Sequence, residues 1–262
     1  MVTGRNIKNI GKPVFIPLVL FVCLLLASPV SSTTEDGTAN CLKLGADDGV
    51  AEFHPMFEGV VASIYKRIGH CVISISIAPK RSEMMLAIAS LDGDWMRADG
   101  FKERSGLDII EVPVPLFELD MVFLTKANSS FNGTPEDMNG RTVGYPAGFA
   151  WIEDNLLAVG AIPKEVPTGV PVRELLLRDR FEVFATDGVR AFQMMGPQDN
   201  RSNAIRQTSW TKVPFFHLVH AKHKNKVGAL AQEIKKAIST GEFDHMFDLP
   251  GLSRATPAPT KP

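Results

Sequence analysis

Segments typical of strands and helices alternate along this sequence, and that alternation limits the folds open to it. Leu42 to Ala46 is typical of a short strand, and apolar residues then recur every fourth position from Met56 to Ile68, as on one face of a helix. Val72 to Ile77 alternates β-branched residues with serine and predicts a second strand. A second helix and a third strand follow. A β-α-β-α-β order predicts a parallel sheet with helices on its faces.

The same alternation restarts in the second half of the chain. Arg141 to Gly144 predicts a strand and Phe149 to Val159 a helix. Phe181 to Thr186 predicts another strand, followed by a helix to Met195. The chain therefore consists of two α/β units of similar size, and we assign it to the α/β class.

The first 32 residues have the composition of a secretory signal peptide. Arg5, Lys8 and Lys12 precede an almost wholly apolar run from Val14 to Leu26, and small residues then lead up to Thr33. An uncleaved membrane anchor is the alternative, but the run is short of the roughly 20 residues that a bilayer span needs. We therefore expect cleavage after residue 32 and a periplasmic or secreted location.

The charge balance argues against nucleic acid as a partner. Three of the 28 basic residues and none of the 29 acidic residues lie in the signal peptide, so the mature chain is mildly acidic. A nucleic-acid-binding surface needs clustered basic residues, and no such block is present.

Two cysteines, Cys41 and Cys71, remain after cleavage, in an oxidising compartment that favours a disulfide. Each stands at the start of a predicted strand in the first β-α-β unit. Neighbouring strands are about 4.8 Å apart, which is within reach of a disulfide if the strand starts are level. Two buried free thiols are the alternative, and the sequence favours neither.

Candidate binding residues follow from a rule of α/β sheets, in which ligands bind beyond the carboxyl ends of the strands. The residues selected at those ends are Asp47, Arg81, Trp95, Arg97, Gly148, Phe149, Thr186 and Asp187. The Arg97 guanidinium could hold a carboxylate through two parallel hydrogen bonds, with Arg81 as the second choice. A surface salt bridge with Asp94 or Asp99 is the alternative for Arg97.

The other candidates also have a structural alternative. Asp187 could bind a ligand or cap the following helix, as aspartate often does. Gly148 and Phe149 open a helix whose free N–H groups could attract an anion, or they form an ordinary tight turn. The Trp95 ring could flank a flat ligand or belong to the core.

No catalytic or metal-binding pattern stands out. His217, His220 and His223 lie three apart near a predicted strand, a spacing that does not converge on a metal. The nucleophile-elbow, phosphate-loop and zinc-protease motifs are missing from the sequence. We therefore expect no cofactor, no metal and no enzymatic activity.

Three stretches together resemble a known family. They are Gly59 to Gly69, Pro79 to Asp94, and Pro214 to His220 with Gly241 to Phe247 further on. In order and spacing they are similar to the extracellular (periplasmic) solute-binding proteins of the amino-acid-binding family 3 type. The resemblance runs from about Leu42 to Asp248.

This resemblance implies a two-lobed type II periplasmic binding protein fold, each lobe a mostly parallel sheet flanked by helices. Residues 40–119 and 213–250 would form lobe 1 and residues 120–212 lobe 2, while the Pro-, Ala- and Thr-rich composition near the end of the sequence predicts that residues 251–262 are a disordered tail. The two-strand hinge would cross near Phe117 to Asp120 and near Thr211 to Pro214. Asp187 would fall where the family places an acid that receives a ligand amino group.

The predicted function is capture of an amino acid or related carboxylate in the cleft, as a monomer, for an ABC transporter or a membrane sensor. A small dehydratase- or lyase-like enzyme on the same fold is one alternative, with Glu103, Asp187 or His54 as its acid or base. A sensor module that has lost ligand binding is the other.

Overall fold

A computed structural model describes residues 41–47, 54–134, 136–195 and 204–256. All of them belong to one compact unit that spans Asp36–Pro262. The predicted signal peptide and the last six residues of the predicted tail lie outside the described residues.

Nine strands and seven α-helices alternate along the described residues. The strands are β1 Leu42–Asp47, β2 Val72–Ile77, β3 Gly93–Ala98, β4 Ile109–Lys126, β5 Thr142–Pro146, β6 Ile162–Val166, β7 Val183–Asp187, β8 Ile205–His220 and β9 Leu252–Ser253. The helices are α1 His54–Arg67, α2 Pro79–Ala87, α3 Phe101–Ser105, α4 Ala150–Ala158, α5 Val172–Leu177, α6 Gly188–Met195 and α7 Val227–Ser239. The predicted α/β class is confirmed.

The strands form one sheet in the order β2-β1-β3-β8-β4-β7-β5-β6, with β9 paired to β4. The triplets β2-β1-β3 and β7-β5-β6 are parallel, whereas β8 and β4 pair antiparallel to each other and to their neighbours. Two parallel groups are therefore joined through a pair of long central strands.

The two central strands are longer than the sequence suggested. From the sequence, Ile109 to Val112 and Leu116 to Thr125 predict two separate strands, but β4 is one strand of 18 residues. Its register with β8 shifts around Pro115, because proline has no N–H for the ladder. The sequence predicts a strand only from Pro214 to Ala221, whereas β8 begins at Ile205, because Arg206 to Thr211 is mostly polar and has no apolar pattern.

Residues of β4 are buried on both faces of the sheet. Val122 and Leu124 pack into one core cluster, and Phe123 between them packs into another. Side chains alternate between the two faces of a strand, so helices must cover both. This explains why the sequence of the central strand β4 contains a long apolar run.

Helices α1 and α7 cover the core around the first parallel triplet. Helix α1 buries Phe57, Val61 and Ile64, and α7 buries Leu230 and Ile234. The fourth-residue apolar spacing seen in the sequence gives each helix one buried face.

Cys41 and Cys71 are joined by a disulfide, with their Cα atoms 4.7 Å apart. Leu42 pairs with Val72 in the parallel register, so the two strand starts are level. The bridge thus fixes the first β-α-β unit at the edge of the sheet.

Residues 251–256, which we expected to be disordered, are ordered against the sheet. Leu252 is buried and pairs with Leu119 of β4. Gly251 has a φ of 86° and lies so close to Gly188 that a Cβ on Gly188 would come within 2.6 Å of its Cα atom. This ordered end therefore packs against the start of α6, next to Asp187.

Within the part of the chain that the structure describes, no helix is both long and apolar enough to cross a bilayer.

Candidate functional site

A cavity of about 280 Å³ opens where the parallel strands of both triplets end. Its wall includes Asp47 at the end of β1, Arg97 and Ala98 at the end of β3, Pro146 at the end of β5 and Asp187 at the end of β7. Strand carboxyl ends are the expected ligand position in α/β sheets. Phe117, Leu119 and Phe215 of the two central strands also line it.

Five of the eight candidate residues from the sequence line this cavity: Asp47, Arg97, Gly148, Phe149 and Asp187. Arg81, Trp95 and Thr186 do not. Thr186 immediately precedes Asp187 in β7, and neighbouring side chains of a strand point to opposite faces.

Trp95 is fully buried in the core, as its structural alternative foresaw. Its ring centroid lies 4.8 Å from that of His54 and 5.3 Å from that of Phe57. Thr186 is also fully buried, and Arg81 is exposed on α2. None of these three side chains lies on the wall of this cavity.

Arg97 lines the cavity, and one nitrogen of its guanidinium is bonded to the protein, whereas its buried Nε has no hydrogen-bond partner among the described residues. Nη2 donates to Asp94 Oδ2 at 2.6 Å and to the Pro79 carbonyl at 3.4 Å. Its guanidinium carbon also lies 4.9 Å from the ring centroid of Phe101. The salt bridge with Asp94, the alternative raised from the sequence, is the arrangement observed.

Asp187 is almost fully buried and is held by Arg190. The Arg190 backbone N–H donates to Asp187 Oδ1 at 2.9 Å, which makes Asp187 the cap of α6. Arg190 Nη1 donates to Asp187 Oδ2 at 2.7 Å, and its Nη2 donates to Asp47 Oδ2 at 2.6 Å. One guanidinium therefore bridges the carboxylates at the ends of β1 and β7.

Arg190 remains a cation in this position. Burial by itself would lower its pKa, but the adjacent carboxylates of Asp47 and Asp187 outweigh that effect and raise the pKa. The sequence analysis missed Arg190. The i, i+3 spacing from Asp187 at a helix start was the signal that could have found it.

Gly148 adopts a φ of 79°, a left-handed conformation that favours glycine. Its N–H donates to Glu165 Oε1 at 2.9 Å, and Glu165 also pairs with Lys80 at 2.7 Å. The Gly148 N–H, for which the sequence left open an anion or an ordinary tight turn, thus binds a carboxylate of the protein itself.

Most of the remaining wall is apolar and aromatic. The rings that line it belong to Phe101, Phe117, Phe149, Trp151 and Phe215. Phe117 and Phe215 are stacked with their centroids 5.7 Å apart. Of these five rings, only Phe149 was among the residues selected from the sequence. Phe117 and Phe215 reach the wall from the central strands, and Phe101 and Trp151 reach it from the starts of α3 and α4.

The candidate acids and bases for an enzyme are mostly elsewhere. His54 contacts the Asp47 carbonyl and the Trp95 ring, and neither it nor Glu103 is on the cavity wall. His217 is buried and bonded to the Tyr65 hydroxyl at 2.7 Å and to the Trp95 carbonyl at 3.1 Å. Among the described residues, no group of three or more His, Cys, Asp or Glu side chains could hold a metal ion.

Comparison with known proteins gives matches among solved structures. ArgBP from T. maritima aligns with a TM-score of 0.64 at 13% identity, over 82% of this chain and 96% of that one. A histidine kinase sensor domain with similarity to periplasmic binding proteins aligns with a TM-score of 0.66 at 14% identity, over 82% and 98%. The chain has the two-lobed type II periplasmic binding protein fold.

A third match to this fold is the arginine-, lysine-, histidine-binding protein ArtJ from Geobacillus stearothermophilus, with a TM-score of 0.61 at 17% identity over 79% and 94%. No family model and no curated protein matches the sequence. The family resemblance noted from the sequence is therefore confirmed as a likeness of fold.

Proposed function

We propose that the chain is an exported solute-binding protein that captures a small molecule in the cavity at the strand ends. The observation that carries the proposal is the position of that cavity, at the carboxyl ends of strands from both parallel triplets. Such a concave, largely apolar site with a few polar groups is typical of small-molecule binding. The captured solute would pass to an ABC permease or inform a membrane sensor.

In this proposal, residues 40–119 and 213–250 form one lobe and residues 120–212 the other. The hinge lies where β4 and β8 pair between Phe117–Phe215 and Met121–Thr211. Closure about two strands would enclose the ligand.

We also propose that the chain is not an enzyme. Of the three candidate acids and bases, only Asp187 lines the cavity, and both of its carboxylate oxygens accept hydrogen bonds from Arg190. A general acid or base must reach the substrate with its reacting proton. Each compound that binds is then tested in a turnover assay. Conversion of any of them would contradict this view.

A thermal-shift screen tests the binding function. Amino acids, organic acids, amines and uncharged aromatic compounds are offered, because a ligand that binds only the native state raises the melting temperature. Ala150 lines the cavity at the start of α4, whereas Ala158 is exposed at the end of the same helix. We expect Ala150→Trp to abolish the shift by filling the cavity and Ala158→Trp to preserve it.

Retention of the shift in Ala150→Trp would place the ligand elsewhere. The absence of any shift across all four compound classes would contradict ligand capture and favour the sensor module without a ligand.

Export is tested separately by expressing the full chain in a bacterial host and fractionating the cells. We expect the protein in the periplasm or medium with Thr33 as its first residue. Recovery of an uncleaved chain in the membrane fraction would favour the anchor alternative.

A further inference from the structure

We propose that Arg190 tethers the two lobes to each other across the cavity, through its ion pair with Asp47. This inference rests on the two-lobe division in the proposed function and deepens it, because it names the contact that must break before a ligand can enter or leave. It follows from which ion pairs cross from one lobe to the other and from how deeply each pair is buried.

Oppositely charged side chains of the two lobes meet around the cavity. Among the described residues, three ion pairs join lobe 1 to lobe 2: Asp47–Arg190 at 2.6 Å, Lys80–Glu165 at 2.7 Å and Arg104–Asp154 at 3.6 Å. Each of these pairs has to separate when the lobes move apart about the hinge. The ion pairs of the chain therefore favour the arrangement in which the lobes are close together.

Burial distinguishes the Asp47–Arg190 pair from the other two. The side chains of Arg190 and Asp47 are 12% and 24% exposed, against 65% and 36% for Lys80 and Glu165. In the third pair, the acid is 51% exposed and the contact is longer than a hydrogen bond. An exposed pair contributes little because water and salt screen it, whereas a buried charge that loses its partner is strongly destabilising. Asp47–Arg190 is therefore the dominant contact between the charges of the two lobes.

Arg190 is held firmly on its own lobe. Asp187 Oδ2 accepts a hydrogen bond from Arg190 Nη1 at 2.7 Å, and Asp187 Oδ1 accepts one from the Arg190 backbone N–H at 2.9 Å. Asp187 and Arg190 both belong to lobe 2 and are three residues apart, so these bonds do not change when the lobes separate. Opening of the cavity breaks only the bond to Asp47, at the end of β1 in lobe 1.

Apolar contacts between the lobes surround this bridge. Phe149 of lobe 2 meets Phe215 of lobe 1 edge to face, with ring centroids 6.4 Å apart, and the Arg190 guanidinium carbon lies 5.5 Å from the Phe149 centroid. Gly148 lies so near Pro79 that a Cβ on Gly148 would be 3.1 Å from the Pro79 Cβ. Such packing keeps water away from the ion pair, and an ion pair is stronger where water is excluded.

The tether has a direct consequence for ligand exchange. A ligand enters or leaves an enclosed cavity only while the lobes are apart, and in many proteins such an opening step limits the rate. Each opening here separates Asp47 from the Arg190 guanidinium. Arg190 thus determines how often the cavity is accessible.

The test measures the distance between the lobes in the mature chain without ligand, by double electron–electron resonance. Spin labels are attached to Met84→Cys on α2 of lobe 1 and Leu157→Cys on α4 of lobe 2, because both side chains are exposed. Cys41 and Cys71 are bridged and do not react with the label. We expect one narrow distance distribution for this labelled chain. Asp47→Ala should increase the population at longer distances at least about tenfold, because the buried bridge is lost.

Two further variants serve as controls. Glu174→Ala removes an exposed pair with Arg178 that lies wholly within lobe 2, so the distance distribution should not change. Lys80→Met removes the exposed pair between the lobes and should increase the population at longer distances by no more than about fivefold.

The tether is wrong if Asp47→Ala opens the lobes no more than Lys80→Met does, or if the labelled chain with Asp47 intact is already mostly open. If Asp47→Ala does not fold, the chain with Asp47 intact is measured in about 1 M salt, which screens exposed pairs but has little effect on a buried one. Its distribution should stay narrow, and opening in salt would overturn the tether.

These measurements use no ligand, so they are independent of the thermal-shift screen. Failure of the tether leaves ligand capture intact. Failure of every compound in the screen contradicts ligand capture and leaves the measured distances as they are.

Discussion

At the scale of single residues, Arg190 is the side chain that determines the character of the site. Its guanidinium is nearly buried, contacts Asp47 and Asp187, and lies 5.5 Å from the Phe149 ring centroid. A buried charge is tolerated only when it is paired, and removal of one partner leaves the others uncompensated. Removal of Arg190 would therefore take a paired cation away from both aspartates.

Replacement of Arg190 with methionine should accordingly destabilise the protein by about 3–5 kcal/mol, because two strand-end carboxylates lose a cation that is paired with them. Arg178→Met is the matched control, since Arg178 is exposed and lies 3.6 Å from Glu174 across one helical turn. Its loss should cost no more than about 0.5 kcal/mol. Urea denaturation at neutral pH measures both, and equal losses would show that the bridge is not stabilising.

Between elements, a buried polar chain connects α1, β8 and β3. Tyr65 on α1 shares a hydrogen bond with His217 on β8, and His217 contacts the Trp95 carbonyl on β3. Burial lowers the pKa of the His217 imidazole, so the ring is neutral in the folded state at neutral pH. These three elements are thus joined by a histidine that resists protonation.

This arrangement predicts an acid-sensitive contribution to stability. The folded-state pKa lies below the ordinary value of 6.5, so the unfolded chain binds the proton first. The stabilisation that comes from keeping His217 neutral is complete above about pH 6.5. It is lost as the pH falls below that value, by at most about 1.4 kcal/mol per pH unit.

His217→Leu tests this contribution by removing the proton-binding group. The variant should be less stable than the wild type at pH 8 by about 1–3 kcal/mol, because the Tyr65 hydroxyl loses its partner. The variant should also lose less stability than the wild type between pH 7 and pH 5. Denaturation curves across this range measure the slope. The exposed His245 provides the control, since His245→Leu should keep the wild-type slope; a steep slope in His217→Leu would contradict the assignment.

At the scale of the whole molecule, β4 and β8 make the sheet continuous. They pair from Ile109–His220 at one end to Lys126–Ile205 at the other. Each parallel triplet packs its own helices, yet both are hydrogen-bonded to this central pair. The two parts of the sheet should therefore not unfold independently.

Calorimetry of the mature chain should show one unfolding transition, with equal calorimetric and van't Hoff enthalpies. Ligand at one hundred times its dissociation constant should move the whole transition upward, by about 2.7 kcal/mol of added stability. For a chain of this size that corresponds to roughly 5–11 °C. Two separate peaks, or a shift of only part of the signal, would show that the lobes unfold independently.

The alternation of strand and helix patterns was enough to predict the α/β class and most elements. Local periodicity encodes such elements, as in Val72–Ile77 and in α1 and α7. The rule that ligands bind beyond the carboxyl ends of strands also selected five residues that line one cavity: Asp47, Arg97, Gly148, Phe149 and Asp187. The sequence left the Cys41–Cys71 bridge open, because it depends on whether two strand starts are level.

Only the tertiary structure decided which charges remain available at the site. The pairing of Arg190 with Asp47 joins residues 143 positions apart, and no local pattern reports such a distance. In the same way, Trp95 of β3 is buried against Phe57 of the distant helix α1, and Phe117 and Phe215 are neighbours through the long β4–β8 pairing. Periodicity acts over a few residues, whereas charge neutralisation and cavity lining arise from contacts between distant segments, and these become known only once the sheet is assembled.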